Sequence, residues 1–177
     1  MSEPDESERD ARPARDCDPG SVRETADAMP VTVVLEYRSG VHPVPGTGAW
    51  RVAEVALEGA PAAGERRRRV LLGPQAQTRH VWDGLWLRID PDACEECYHN
   101  LRSPSPGVFV LCRLGPDGVL EPRRVAASFL EAAAGAGADD LVCRVPMSTG
   151  IRRWLEQSPL ARYLPELRRR VGPEAGE

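Results

Sequence analysis

The thirty residues from Leu85 to Leu114 constrain this fold more than any other stretch. They read LWLRIDPDACEECYHNLRSPSPGVFVLCRL and hold one whole helix between two apolar strands. Asp90 suits an N-cap, Pro91 suits the first helical position, and Asp92, Glu95 and Glu96 sit near the positive end of the helix dipole. The helix must stop before Pro104, near Leu101, because a residue preceding proline is pushed out of the α region. GVFVLCRL then runs almost unbroken in apolar residues, as expected of a strand covered on both faces.

Strand patterns flank this unit. In MPVTVVLEYR, Val31, Val33, Leu35 and Tyr37 alternate onto one face, and β-branched residues dominate. WRVAEVAL, Trp50 to Leu57, is a second strand, expected to pair with the first. Residues 59–69 read as a loop that ends in the basic run Arg66 to Arg69, with a short strand at RVLLG. Residues 79–83 and 85–89 are extended about Gly84, and Asp83-Gly84 is a hairpin signal. Arg123 to Ala127 and LVCRV are further strands, and SFLEAAA is a short helix. Met147, Ile151, Trp154 and Leu155 recur at helical spacing, predicting an amphipathic helix that Pro159 ends or restarts. Arg168 to Arg170 fall in a last helical turn.

These elements predict a single α+β domain over residues 29–171, mainly antiparallel sheet partly covered by two or three helices. Residues 1–28 carry nine acidic residues against four Arg and few apolar ones, so they are expected to be a disordered acidic tail. Residues 172–177 are expected to be a second disordered tail.

Composition narrows the function. A net charge of −4 argues against general nucleic-acid binding. No apolar run reaches the roughly 20 residues of a membrane span. The polar start lacks the order of a signal peptide, which favours the cytoplasm. Five cysteines at irregular spacing fit reduced thiols better than a disulfide framework. All 23 basic residues are Arg, which fits a GC-rich coding bias.

Cys94 and Cys97 form the one CxxC, so metal or redox chemistry must be weighed. On the predicted helix they share a face with Tyr98 and Leu101, and free cysteine packs as a small hydrophobe. Glu95 and Glu96 lie between the sulfurs and disfavour a thiolate. A structural zinc wants four ligands, and the sequence offers no second CxxC or HxxxH. Packing is therefore the expected role. His42, His80 and His99 belong to no recognisable triad motif, and neither a P-loop nor GxGxxG occurs. No catalytic residue, metal ligand or bound cofactor is predicted.

Several segments together resemble a known family. MPVTVVLEYR, WRV, DGLWLRID, CYHNLRSPSPGVFVLCRL, RRVAAS and VPMSTGIRRWLEQ match a bacterial family known as a domain of unknown function. Its members tend to be encoded beside molybdenum- or tungsten-dependent formate dehydrogenases and their accessory proteins. Some carry a molybdopterin-guanine dinucleotide biosynthesis label. The resemblance covers residues 29 to 157, most specifically the opening MPV strand, Tyr98-x-Asn100-Leu101 and Pro146-Met147. Family members have acidic and alanine residues where this chain has Cys94 and Cys97, which weakens an essential role for the pair.

The resemblance implies a non-enzymatic accessory or associated protein of a cytoplasmic formate dehydrogenase. Its partner would be that enzyme or its maturation proteins. Tyr98, Asn100, Arg102, Ser103, Pro104, Ser105 and Pro106 are the expected contact surface, where polar and aromatic groups meet rigid backbone. An alternative is a molybdopterin-nucleotide-binding protein gripping phosphates with Arg66 to Arg69. A third reading is a thiol or metal protein built on the CxxC.

Overall fold

A computed structural model of the chain describes residues 28–38, 49–57, 66–73 and 77–157. Its seven strands are β1 (Ala28–Arg38), β2 (Trp50–Leu57), β3 (Arg67–Leu72), β4 (Gln77–Arg88), β5 (Gly107–Leu114), β6 (Leu120–Ala126) and β7 (Asp140–Pro146). Three short helices, α1 (Cys94–Arg102), α2 (Phe129–Ala133) and α3 (Thr149–Gln157), complete the described chain. The expected α+β architecture is what forms.

The strands run in the order β2-β1-β4-β6-β5-β7, with β3 added on β4. β7 returns against β2, so the sheet curls into a near-closed barrel. Every pairing is antiparallel except β4 with β6, which meet in parallel at Leu87–Val125 and Arg88–Ala126. β4 is the spine: β1 lies along one edge, while β3 and then β6 share the other.

The alternation read in β1 holds for Val31, Val33 and Leu35, which are fully buried. Tyr37 lies farther out at the rim, its ring 5.0 Å from that of Trp50. β5 is covered on both faces as its sequence predicts. Val108, Val110 and Cys112 point into the barrel, and Phe109 meets Phe129 of α2 edge-on at 5.8 Å.

Two local expectations are corrected. Asp83-Gly84 makes no hairpin, because β4 continues straight through it. Val31 pairs with Leu85 and Val33 with Trp82, so Asp83 and Gly84 together oppose Thr32. That is a β-bulge, and Gly84 takes the required left-handed conformation at φ 80°. A tight turn and a bulge demand the same glycine; the long β1 ladder on both sides of it decides for the bulge. The second correction is the basic run. Arg67 to Arg69 belong to β3 and not to a loop, paired in register with Asp83, Trp82 and Val81.

Capping places the first helix. The Asp90 side chain accepts from the Asp92 N–H at 2.9 Å and opens a 3₁₀ turn, Pro91–Ala93, that leads into α1. Ser128 caps α2 through the Glu131 N–H at 3.1 Å. Pro159, Arg168 to Arg170 and both expected tails, apart from Ala28, lie outside the described residues.

Candidate functional site

The α1 helix sets its cysteines inward. Cys94 and Cys97 are buried with Leu101 beneath it, and the Cys94 thiol lies 3.5 Å from the Asp90 carbonyl. Burial pushes the Cys97 thiol well above its ordinary range, and the Glu131 carboxylate adds to the shift. A thiol so placed packs; it does not attack. Among the described residues, no cluster of three His, Cys, Asp or Glu side chains has the makings of a metal site.

The expected contact surface divides in two. Asn100 turns inward and ties three segments together. Its Nδ2 donates to the carbonyls of Gly107 at 2.7 Å and Ala127 at 2.8 Å, while its Oδ1 accepts from the Gly107 N–H at 3.1 Å. Tyr98 packs half-buried against the core. Arg102, Pro104 and Ser105 are exposed, and Ser103 and Pro106 are half-buried. Arg144 from β7 donates to the Ser105 carbonyl, and the Met147 N–H to that of Pro106 at 2.9 Å, which holds the loop against the barrel.

The basic run does not converge on one recess. Arg66 donates to the Arg123 carbonyl at 2.8 Å. Arg68 reaches Asp117 at 3.2 Å and lies over the Trp82 ring at 5.8 Å. Arg69 instead pairs with Asp83 at 2.8 Å. Strand alternation sends Arg68 and Arg69 to opposite faces of the sheet.

Two features were not foreseen. The first is a recess of about 510 Å³ beside α1 and α2, lined by Asp90, Asp92, Glu96, Arg124, Leu130 and Glu131 among others. Glu96 accepts a hydrogen bond from the buried Ser128 hydroxyl. Arg124 closes the end of α2 by donating to the carbonyls of Glu131 at 2.9 Å and Ala134 at 2.7 Å. Burial, with the Asp90 charge, raises the Glu131 carboxyl to about 7. A carboxyl held more protonated when folded stabilises the fold below its unfolded value of 4.5, and that advantage drains away as pH rises to about 7. Glu131→Gln, which mimics the protonated form, is expected to gain on the order of 1 kcal/mol at pH 8 after allowance for solvent screening. Denaturation at several pH values would show the gain fading toward pH 4; a pH-independent difference would refute the titration account.

The second is Glu36 on β1. Its side chain is buried, and register places it between Arg51 of β2 and Arg79 of β4. Arg51 donates from Nε at 2.8 Å and again from its guanidinium end to one carboxylate oxygen, and Arg38 lies 3.5 Å from the same oxygen. Arg79 donates to the other at 3.0 and 2.9 Å. Burial alone would raise the Glu36 pKa, but Arg51 and Arg79 together hold it below the ordinary value of 4.5. The sequence carries a faint signal for this group: a glutamate at the outward position of an otherwise apolar strand. The arginines that answer it become visible only once β2 and β4 are in register.

These features define a small, filled barrel whose distinctive groups lie on its surface. Over residues 30–171 the chain matches the family described as protein of unknown function DUF3305, and it belongs to that family. Neither the curated proteins nor the solved structures include a match to it.

Proposed function

We propose that the chain is a non-enzymatic accessory protein of a molybdenum- or tungsten-dependent formate dehydrogenase system. It acts by contact, either during assembly and cofactor insertion or as a small bound subunit. The observation that carries the contact reading is the filled barrel. Val31, Val33, Leu35, Leu87, Val108 and Val110 have no exposed surface, so the space that a wider barrel offers a ligand is taken here by side chains. The family resemblance supplies the system: the genes of such proteins tend to lie beside formate dehydrogenases. The phosphate-gripping alternative gains no support from Arg66, Arg68 and Arg69, whose side chains reach three different partners.

The test is genetic and biochemical. Deleting the gene in its host is expected to reduce formate oxidation in cell extract at least several-fold, while the purified protein oxidises none. Affinity capture from the host is expected to recover a formate dehydrogenase subunit, identified by mass spectrometry. Unchanged formate oxidation in the deletion strain, with the enzyme expressed, would refute the proposal.

A further inference from the structure

The outer face of β2, β1, β4 and β3 carries an excess of positive charge around the buried Glu36. Reading across the strands, one row is Arg51, Glu36, Arg79 and Leu71. The next is Glu54, Val34, Val81 and Arg69. One guanidinium neutralises a carboxylate, yet Glu36 gathers those of Arg38, Arg51 and Arg79. The cluster itself is left with two positive charges in excess, which Glu54 in the next row reduces to one across the face, Arg69 being paired with Asp83. The three arginine side chains remain 41, 50 and 54% exposed, whereas the carboxylate is 2% exposed. The Arg38 Nε–H is also buried without an acceptor. With all three Nε–H groups turned inward, the donors left facing out are at the guanidinium ends, anchored from below, and an anchored fork keeps more of its binding energy than a free one.

We propose that this array seats the carboxylates of an acidic polypeptide segment on a partner protein. This deepens the contact reading above and rests on it. Guanidinium forks match carboxylates in bidentate pairs. Arg51 and Arg79 stand on strands either side of β1, about 9–10 Å apart at the backbone from ordinary strand spacing. A segment crossing the strands meets one, then the other. The apolar side chains of Val34 and Leu71 lie between and beside them, and Leu71 is half exposed. Among the residues of these two rows there is no aromatic ring, so a nucleic acid would find no base-stacking platform. A polypeptide uses both the charges and the apolar spots.

Nitrogen-15-labelled full-length protein tests this directly. The side-chain Nε–H signals of Arg38, Arg51 and Arg79 are followed as an oligoglutamate peptide is added. The same titration uses inorganic phosphate and a single-stranded DNA oligonucleotide at equal ionic strength. The peptide is expected to shift these three signals at lower concentration than either other probe. Arg51→Gln with Arg79→Gln is expected to weaken peptide binding on the order of tenfold, with the backbone amide spectrum otherwise retained. If that variant loses its amide dispersion, Arg51→Lys with Arg79→Lys replaces it. That pair keeps charge but not the fork, and weaker peptide binding is again expected.

Unmoved arginine signals, or stronger binding of phosphate or oligonucleotide, would overturn the proposal. In the deletion strain, full restoration of formate oxidation by a folded arginine variant would also overturn it. That outcome would leave the accessory reading standing, since the deletion itself would still have lowered activity.

Discussion

Asn100→Ala is expected to cost the fold about 3 kcal/mol, because it strips the partners from three backbone groups at once. The Gly107 N–H and carbonyl and the Ala127 carbonyl all bond the Asn100 amide. Those groups lie where the loop after α1 enters β5 and where β6 leaves for α2. Each orphaned buried group costs roughly 1–3 kcal/mol, with water recovering part of it. Asn100→Asp is the sharper comparison. It keeps an acceptor for the Gly107 N–H but turns a carboxylate on two carbonyl oxygens, and it is expected to do no better than alanine. Urea denaturation of both variants checks the result. A loss below about 1 kcal/mol would show that water replaces the amide without penalty. The consequence reaches the functional assay, since a Tyr98→Ala, Asn100→Ala variant that fails to bind a partner has first to be shown folded.

How far such side chains were legible depends on whether their partners are local. The helix Cys94–Arg102 was readable because its start signals, Asp90 and Pro91, and its stop signal, Pro104, are all neighbours in sequence. The burial of its cysteines followed from helical spacing alone. β5 was equally readable from its own apolar run. Gly84 shows where local reading ends. Its positive φ was implied by Asp83-Gly84, but whether the chain reversed or bulged was decided by Thr32, fifty residues earlier. Arg67 to Arg69 read as loop for the same reason, although their exposure is the same in the strand they form. The carboxylates that Arg69 and Arg68 meet, Asp83 and Asp117, come from β4 and from the β5–β6 turn. Asn100 sits inside a segment whose polar character alone points to the surface. Only tertiary structure reveals that three backbone groups needed its amide.

Glu36→Gln is the other substitution expected to act strongly, and its pH dependence separates charge from packing. The amide fills the same volume and still offers one acceptor oxygen. It leaves Arg38, Arg51 and Arg79 converging with no counter-charge. Removing one member of a buried ion pair costs about 3–5 kcal/mol when the partner stays trapped. Here the arginines are half exposed and can swing toward water, so about 2 kcal/mol at pH 7 is expected. The sign of the pH effect is fixed by the direction of the Glu36 shift. Its folded pKa lies below the ordinary 4.5, so the carboxylate contributes stability above that value and loses it as pH falls through the folded one. Wild type and variant should therefore differ most near neutrality and converge as pH falls below 4.5 and through the folded value. Equal denaturation midpoints at pH 7 would mean that the arginines turn outward freely and that Glu36 does not anchor them. In that event the donor array would have no fixed geometry, and a carboxylate-bearing partner would have to order it on binding.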